Sequence, residues 1–369
     1  MGNQAARSAS FDASGEVNFD HFQILRAIGK GSFGKVCIVQ KKDTNKMYAM
    51  KYMNKAMCAE KEAIKNVLAE VELLQSLEHP FLVNLWFTFD DEEDLFMVVD
   101  LLLGGDLRYH LQKEVKFTIQ SVRLFLAEIC LALDYLRSKK VLHRDLKPDN
   151  ILMDEDGHYH ITDFNVATSI EEGHSPTSVC GTRPYMAPEV FEAKKGQGYS
   201  YSADWWSLGI CTFEILKNRR PYDIHSNTTV SEFRRIITDS HKSMCHAISS
   251  YPESLNDLVK RLLETDPEKR LSSLKDIQQH EFFTGMNFDD VLNRKVQPPF
   301  IPSKDHLNCD PTFELEEMIV ESKPLHKKKK RLAKQNSKPI SDPIRDYLES
   351  NGKVFEPYDR ERKKDTKEE

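Results

Sequence analysis

The pattern of apolar residues changes character at Gly104–Gly105, and this change limits the possible folds more than any other feature of the sequence. Before it, from Phe22 to Asp100, short apolar runs alternate with turn residues, which is typical of β-strands. After it, apolar residues recur every three or four positions, as in Val122–Leu136, which is typical of amphipathic helices. The sequence therefore predicts an α+β fold with two lobes and a cleft between them.

The boundaries of the lobes follow from the same pattern. We place the small lobe, an antiparallel sheet, at residues 22–100 and the larger, mainly helical lobe at residues 103–283. One helix interrupts the strands of the small lobe, because apolar residues recur at helical spacing over Ile64–Leu77. We expect this helix to end before Pro80, since proline cannot continue a helix.

Both ends of the chain lack regular apolar patterns. Residues 1–21 are polar and predict a flexible leader, and residues 284–369 predict an extended tail that contains the basic run Lys327–Arg331. The chain as a whole carries a net charge of −6, which does not indicate a nucleic-acid-binding protein. From Glu321 to the end the chain has 15 Lys/Arg against 10 Asp/Glu, so we interpret this last part of the tail as a basic appendage on an acidic body.

The composition excludes several classes of protein. With 40% hydrophobic and 30% charged residues the chain can form a core and is not a disordered protein. Seven cysteines, an odd number without a Cys-x-x-Cys pair, indicate a reducing compartment rather than a disulfide framework or zinc site. No apolar stretch approaches the ~18 residues of a membrane span, and the N-terminus lacks the apolar segment of a signal peptide. We therefore expect a cytoplasmic protein.

A glycine-rich segment lies between two apolar strands and is predicted to form the tip of a hairpin. Glycine lets the backbone approach a phosphate closely and present its N–H groups. Taken alone, the pattern fits an ordinary hairpin turn equally well. The segment consists of Gly29, Lys30, Gly31, Ser32, Phe33, Gly34, Lys35 and Val36.

Lys51 lies in the next predicted strand. It indicates a functional role only if it has an acidic partner on the following helix. Glu70 is the candidate, and such a pair would hold Lys51 against the α- and β-phosphates of a nucleotide. Glu72 is the alternative partner. Because it lies two positions further along the helix, Glu70 and Glu72 cannot both face the same side.

The polar string His143–Asn150 follows a long apolar helix and carries the strongest chemical signal in the sequence. Asp145 can accept the proton of a hydroxyl group and orient it as a nucleophile. Lys147 places positive charge where a transferring phosphoryl group develops negative charge. Asn150 can bind Mg²⁺, which prefers oxygen ligands, and Asp163 is the expected second ligand of this ion.

The order of these motifs resembles the signature of eukaryotic protein kinases over residues from about 22 to 283. The ordered set is the glycine-rich segment, Lys51, His143–Asn150, Asp163 and Ala187-Pro188-Glu189. The position of Lys147, two residues after Asp145, and the pair Gly181-Thr182 before Tyr185 resemble serine/threonine kinases more than tyrosine kinases. The resemblance implies transfer of the ATP γ-phosphoryl group to Ser or Thr of protein substrates, with Mg²⁺, for which Mn²⁺ could substitute.

Further motifs resemble one branch of the kinases. Trp205-Trp206, Cys180-Gly181-Thr182 and the tail segment Val296–Pro302 are similar to the AGC group. Within it, Asp163-Phe164-Asn165 and the tail Asn308–Met318 are similar to the YANK family of serine/threonine kinases.

The resemblance also implies roles for individual residues. It places Ile28, Val36, Ala49 and Leu152 around adenine, Val99 as gatekeeper, Asp100–Leu102 as the hinge that binds the base, and Asp106 at the ribose or the substrate. It further implies a buried ion pair between Glu189 and Arg270, and an Asp204 that holds the catalytic loop. Asp106, Asp149 and Glu214 are acidic where the resemblance would place receptors for basic substrate residues. Arg183-Pro184 departs from that pattern, so the substrate sequence stays open.

Two departures from the kinase pattern concern regulation. Asn165 stands where most kinases have Gly, and because Asn tolerates positive φ we expect Asp163 to reach the metal from a stiffer turn, with a neutral substitution as the alternative. Ser178 is the candidate phosphorylation site, whose phosphate could pair with Arg144. Ser175 and Thr177 are the alternatives, as is a merely solvated serine.

The two ends of the chain raise two more hypotheses. Phe355 and Tyr358 distantly resemble an AGC hydrophobic motif; we interpret them as aromatic residues of a disordered tail, with docking on the small lobe as the alternative. Gly2 predicts N-myristoylation, although Ala6 replaces the usual Ser or Thr. With the basic run Lys327–Arg331 an acyl chain would give weak peripheral membrane association.

We expect a monomeric enzyme that binds ATP and a protein substrate. Three alternatives remain at this point: a pseudokinase scaffold, a kinase of small molecules, and a nucleic-acid-binding role that would rest only on Lys327–Arg331. The retained Lys51, Asn150 and Asp163 argue against the first, and Ala187-Pro188-Glu189, suited to peptide docking, argues against the second.

Overall fold

The computed structural model describes residues 15–30, 34–170, 175–194, 197–309, 342–351 and 355–362. These residues form two compact units. The first unit is drawn from Met1–Val67, Leu85–Leu101 and Asp310–Glu369, and the second from Leu68–Asn84 and Leu102–Cys309. Among the described helices, none is both long and apolar enough to cross a membrane.

The first unit is built on an antiparallel sheet with the strand order β1-β2-β3-β5-β4-β10. The strands are β1 (Phe22–Lys30), β2 (Gly34–Lys41), β3 (Met47–Asn54), β4 (Leu85–Asp90), β5 (Asp94–Val99) and β10 (Tyr358–Asp359). Aromatic side chains dominate its core: Phe22 stacks on Phe89, and Phe89 stacks on Phe96. The predicted strand lobe thus has one aromatic core. This core fixes the register of the strands, because a shift by one residue would move the buried side chains to the other face of the sheet.

Two helices follow β3 in the chain. Helix α1 (Lys55–Glu60) begins at Asn54, whose side chain accepts the Met57 N–H, and α2 (Ile64–Ser76) runs across the boundary between the two units. As expected from the sequence, α2 ends before Pro80. Asparagine is a favoured N-cap because its side-chain oxygen satisfies a free helix N–H.

The chain end adds the sixth strand. Tyr358 pairs with Thr88 and Asp359 with Phe87, so β10 covers the open edge of β4, and the Tyr358 side chain is buried. The interpretation of this segment as a disordered tail is therefore wrong for the described residues. A sheet edge offers unpaired N–H and C=O groups that an extended segment can satisfy, which short-range sequence patterns do not reveal.

The second unit is mainly helical. Its helices are α3 (Leu107–Gln112), α4 (Ile119–Ser138), α5 (Pro188–Phe191), α6 (Ser202–Lys217), α7 (Val230–Ile248), α8 (Glu253–Leu262), α9 (Leu274–Gln279) and α10 (Phe288–Leu292). The apolar face predicted from Val122 to Leu136 is buried in α4, as expected, and α6 is buried along most of its length. Helix α7, which a capping box of Thr229 and Glu232 begins, was not predicted.

Two small sheets of the second unit position its loops. Strands β6 (Val141–Leu142) and β9 (Thr168–Ser169) pair with each other, and β7 (Ile151–Met153) pairs with β8 (Tyr159–Ile161). The string His143–Asn150 therefore lies between β6 and β7, each of which is paired with a different strand. This placement fixes both ends of the polar loop.

The proline-rich segment after α10 packs within the second unit. The Phe300 ring meets His110 and Phe117 edge-on, and Asn308 donates to the Leu103 carbonyl oxygen at 3.0 Å. Gly105 has a φ of 79°, and a Cβ there would lie 2.2 Å from the Asn308 carbonyl oxygen. The glycine that separates the strand-like from the helical part of the sequence thus lets this segment approach.

Candidate active site

A buried carboxylate of α6 anchors the polar loop. Asp204 accepts the backbone N–H groups of His143 at 2.8 Å and Arg144 at 2.9 Å, one on each oxygen. Burial raises the pKa of Asp204, while the two N–H donors and the neighbouring His143 favour its ionised form. The role implied for Asp204 is thereby confirmed.

Asp145 lies at the centre of a network of donors. Its Oδ2 accepts the Lys147 ammonium group at 2.7 Å, and its Oδ1 accepts both the N–H and the hydroxyl group of Thr182, at 2.8 and 2.7 Å. Lys147 also donates to the Thr182 hydroxyl oxygen at 2.9 Å. The carboxylate is thus held in one orientation beside a cation, as a group that aligns a substrate hydroxyl requires.

Asn150 and Asp163 are brought together by the backbone. The Asn150 carbonyl oxygen accepts the Thr162 N–H at 3.0 Å, next to Asp163, and the Asn150 side-chain N–H group donates to Asp145. The amide oxygen of Asn150 is therefore the atom left for a cation. Phe164 packs edge-on against His143 with 5.0 Å between the ring centroids, which fixes the segment after Asp163.

The donor set fits a hard divalent ion. An amide oxygen and a carboxylate are ligands that Mg²⁺ accepts, and Mg²⁺ usually completes its shell with water and substrate phosphates. Among the described residues no group of three or more His, Cys, Asp or Glu could hold a metal ion by itself. Asn150 and Asp163 supply two oxygen donors, which fits an ion that takes its other ligands from water and phosphate.

The departure at Asn165 has a different geometry from the one we expected. Asp163 has a φ of 65°, in the left-handed region, whereas Asn165 is not among the described non-glycine residues with positive φ. The tolerance of Asn for positive φ is therefore not used in this conformation, and that reason for the substitution is wrong. The proposed stiffness of the turn stays a prediction.

The residues predicted around the nucleotide are divided between the units. In the first unit Lys51 pairs with Val36 across β2 and β3, and buried Ala49 pairs with Val99 across β3 and β5. Asp100 accepts the indole N–H of Trp86 at 2.6 Å, which holds the start of the predicted hinge. The residues of this unit thus stand at neighbouring register positions.

The glycine-rich segment is only partly described. Ile28, Gly29 and Lys30 end β1, Gly34, Lys35 and Val36 begin β2, and Gly31, Ser32 and Phe33 lie outside the described residues. A Cβ on Gly34 would lie 1.6 Å from the Tyr52 carbonyl oxygen. Gly34 is therefore required by the close approach of β3, a structural reason that is independent of phosphate binding.

The burial of the two candidate glutamates differs. Glu70 is 4% exposed, whereas Glu72 lies on the exposed face of α2. This favours Glu70 over the alternative, because a buried carboxylate requires a partner. The pairing of Glu70 with Lys51 stays a prediction.

Besides Glu70, three predicted nucleotide residues belong to the second unit. Asp106 and Leu152 form an antiparallel bridge, and Leu102 precedes them in the chain. Asp106 is the N-cap of α3 and accepts the Tyr109 N–H at 2.7 Å. Burial raises the pKa of Asp106, so this carboxylate is both a helix cap and a group that gains from a further hydrogen-bond donor.

Ser178 lies beside the arginine that we expected to receive its phosphate. The Arg144 guanidinium group donates to the Ser178 hydroxyl oxygen at 3.1 Å, and the Tyr199 hydroxyl group donates to the Ser178 carbonyl oxygen at 2.7 Å. Ser178 is exposed, as are Ser175 and Thr177. The contact with Arg144 favours Ser178 among the three.

Other predicted residues have clear outcomes. Arg270 is buried and donates to both carboxylate oxygens of Glu189, the second at 2.9 Å, so the implied ion pair is confirmed. Gly2 and Lys327–Arg331 lie outside the described residues, and their roles stay predictions.

Sequence reasoning missed three residues of the site. Thr182 was noted only as part of a motif, yet it contacts both Asp145 and Lys147. Arg108 and Tyr185 join Glu214 in a polar cluster beside the loop. A cavity of about 480 Å³ is lined in part by Thr182, Arg183 and Arg220. No local pattern marks Arg108, because its partners lie far away in sequence.

The model of the protein kinase domain family matches residues 22–283. The chain is therefore a protein kinase, and its strand and helix elements agree with the α+β, bilobal fold class predicted from the sequence.

The chain belongs, within the kinases, to the family of serine/threonine-protein kinases 32, the YANK kinases that its motifs resemble. It is 55% identical to serine/threonine-protein kinase 32B of Homo sapiens over 98% of this chain and 89% of that protein. It is also 55% identical to human serine/threonine-protein kinase 32C over 95% of this chain and 72% of that protein. A RAC family serine/threonine-protein kinase homolog of Dictyostelium discoideum is 41% identical over 81% of this chain and 67% of that protein. The predicted activity, serine/threonine protein phosphorylation, is thereby confirmed at the level of the family.

Proposed function

We propose that the chain transfers the γ-phosphoryl group of ATP to Ser or Thr hydroxyls of proteins, in the reaction class of the non-specific serine/threonine protein kinases. The observation that carries this proposal is the hydrogen-bond network around Asp145, whose two carboxylate oxygens accept hydrogen bonds from Lys147 and Thr182. Asp145 aligns the substrate hydroxyl and accepts its proton as the oxygen attacks phosphorus. Positioning and electrostatics supply nearly all the catalysis of such a transfer.

Lys147 lies next to the position where the transferring phosphoryl group would gain negative charge. Its ammonium group lies 2.7 Å from Asp145, so a hydroxyl aligned by Asp145 also brings the transferring phosphoryl group near Lys147. The cation would lower the energy of the transition state more than that of the ground state, since negative charge spreads over the phosphoryl oxygens. Thr182 holds both side chains.

Asn150 and Asp163 would hold Mg²⁺, or Mn²⁺ in its place, through one amide and one carboxylate oxygen. The bound ion neutralises charge on the nucleotide phosphates. The backbone bond between Thr162 and Asn150 supports a shared role for the two ligands. Lys51, with Glu70 as its predicted partner, would bind the α- and β-phosphates.

A comparison of the wild-type protein with Lys51→Met tests the activity against the scaffold alternative. We expect wild-type protein with Mg-ATP to phosphorylate casein or itself and the variant to lose at least about a hundredfold in rate, because phosphate positioning dominates this chemistry. Equal phosphate incorporation by the two proteins would contradict the proposal. Phosphorylated small metabolites without phosphorylated protein would favour the small-molecule alternative.

Phosphorylation of Ser178 is proposed as a regulatory step. A phosphate on this hydroxyl would replace the 3.1 Å contact with Arg144 by a charge-assisted pair and order the segment around it. The test compares Ser178→Ala with Ser175→Ala as the matched control. Loss of activity in the first variant alone supports Ser178, and full activity in both shows that its phosphorylation is not required.

Membrane association is proposed to rest on acylation of Gly2 together with the basic run Lys327–Arg331, in a protein that is otherwise cytoplasmic and monomeric. One acyl chain alone gives marginal binding, so a second electrostatic signal is needed. An intact-mass spectrum of protein from cells tests this. Absence of the acyl mass increment would remove the proposal.

A further inference from the structure

The polar cluster that sequence reasoning missed is centred on Arg108 of α3. Its guanidinium group donates to Glu214 on α6 at 2.6 Å, to Asp149 of the polar loop at 3.3 Å and to the hydroxyl oxygen of Tyr185. The Tyr185 hydroxyl group in turn donates to the second Glu214 oxygen at 2.7 Å. Arg108 thus joins a helix, the catalytic loop and the segment after Thr182.

Two chain connections place this cluster beside the reacting groups. Asp149 precedes Asn150, whose side chain donates to Asp145 at 3.1 Å. Tyr185 follows Thr182 by three residues, and Thr182 donates to Asp145 at 2.7 Å. An extended peptide advances ~3.3 Å per residue, so side chains a few positions from the acceptor reach this far.

Arg108 offsets one of the two negative charges of the cluster. Glu214 has an 8% exposed side chain, and Asp149 beside it has a 49% exposed one. With Arg108 the cluster carries two carboxylates and one guanidinium group, and without it two carboxylates alone. Because a buried carboxylate requires a cation, removal of Arg108 would leave a strong site for any arginine that can enter.

We propose that Arg108 occupies, from within the chain, the place that an arginine of the substrate would otherwise take, so that this kinase does not select for basic residues at the substrate position that reaches Glu214. Arg108 is thereby a specificity-determining residue. The inference rests on the proposed phosphotransfer. It answers the open question about Asp149 and Glu214: both are acidic, but their strongest charge-assisted bonds are already made.

The geometry favours an internal occupant over a merely surface ion pair. Arg108 has a 25% exposed side chain and three partners on three segments, whereas Arg261 of α8, 59% exposed, has a single partner four residues away. Several bonds to a planar fork fix the guanidinium group in one orientation. A substrate arginine would have to displace Arg108 completely before it could bind.

Two peptides that differ only by Arg or Ala at one position test the inference, scanned over the five positions on each side of the acceptor Ser. We expect wild-type protein to use both members of each pair with similar kcat/KM. We expect Arg108→Met to gain at least about tenfold for Arg over Ala at one position, since a charge-assisted hydrogen bond discriminates by that factor. The gain should vanish in the double variant Arg108→Met with Glu214→Gln, and Arg261→Met is the matched control.

The outcomes separate this inference from the proposed function. Phosphorylation of the Arg-free peptide by wild-type protein reports on the function alone, and its absence would refute that function. If Arg108→Met phosphorylates the Arg-free peptide but gains no preference, the inference is overturned. If Arg108→Met does not fold, the wild type still decides: a tenfold Arg preference that Glu214→Gln abolishes would overturn the inference, and indifference to Arg in both proteins supports it.

Discussion

Three carboxylates hold the site together, because each accepts hydrogen bonds from groups in its surroundings. Asp204 holds two N–H groups of the loop, Asp145 holds Lys147 and Thr182, and Asp106 caps a helix. Replacing such a carboxylate removes acceptors whose donors stay buried, which costs more than an ordinary surface change. Substitution of such a carboxylate should therefore have a measurable effect on stability or turnover.

Asp204→Asn should destabilise the protein and slow catalysis together. An amide offers one acceptor and turns its N–H group toward a backbone donor, so we expect a loss of about 1–3 kcal/mol in the free energy of unfolding. The turnover rate should fall as well, because His143 and Arg144 begin the catalytic loop. Urea unfolding and peptide phosphorylation measure the two effects. Asp239→Asn, on the exposed face of α7, is the control, and equal behaviour of both variants would contradict the anchoring role.

His79 should make stability depend on pH. Burial, with a smaller contribution from His160, lowers the pKa of His79 to about 4, and its Nδ1 accepts the Phe81 N–H at 3.2 Å. The unfolded chain takes up this proton near pH ~6.5, so the stabilising contribution is complete above that pH and is lost as the pH falls toward 4. The effect can reach about 3 kcal/mol.

Urea unfolding of wild-type protein and His79→Gln between pH 7.5 and 4.5 measures this dependence. We expect the stability difference between the two proteins to shrink as the pH falls, since Gln has no proton to take up. His225→Gln, an exposed histidine, is the control. A constant difference across the pH range would show that His79 does not titrate as described.

The sequence alone identifies those site residues whose reactive or metal-binding side chains occur at a fixed spacing within a motif. Asp145, Lys147, Asn150 and Asp163 could be named because loop motifs place polar residues side by side. Arg108 could not, since its partners Asp149 and Glu214 are brought to it only by the packing of α3 and α6.

At the scale of elements, the end of the chain completes the small sheet. Asp342 caps the helix α11 (Pro343–Ser350), which buries Ile344 and Leu348, and β10 follows. Lys55 of α1 lies buried between two carboxylates, bound to Asp90 at 2.7 Å and to Asp342. A buried ammonium group with two partners ties the helix to the sheet.

Deletion of residues 342–369 should weaken the first unit. It uncovers the edge of β4 and leaves Lys55 with one partner, and the buried Ile344, Leu348 and Tyr358 each contribute about 1.5–3 kcal/mol at most. We expect faster amide exchange in β4 and a lower unfolding temperature. Deletion of residues 363–369 alone is the control. Unchanged exchange at Phe87 and Thr88 in the longer deletion would contradict the role of β10.

Elements differ in how far sequence predicts them. The long helix α4 and the buried helix α6 could be predicted because many apolar residues repeat at helical spacing. The two-residue strand β10 could not, because nothing local in Phe355–Asp359 fixes its pairing with β4. The register depends on an edge that lies 270 residues away in the sequence.

At the scale of the whole molecule, the residues of the proposed reaction are divided between the two compact units. The second unit holds Asp145, Asn150 and Asp163, and the first carries Lys51 in the middle of its sheet. The fold class and the kinase family could be derived from the order of the motifs, since unrelated chains do not repeat that order. Substrate preference could not, because it depends on side chains such as Arg108 that act through packing.

The measurement that tests the central claim most directly is the transfer of γ-phosphate from radiolabelled Mg-ATP to a Ser peptide by wild-type protein and Asp145→Asn, with Mg-ATP affinity measured for both by calorimetry. We expect both proteins to bind Mg-ATP with similar affinity and the variant to lose at least about a hundredfold in turnover, because Asp145 aligns the hydroxyl rather than the nucleotide. Equal turnover, or a wild-type protein that ignores Mg-ATP, would contradict this expectation.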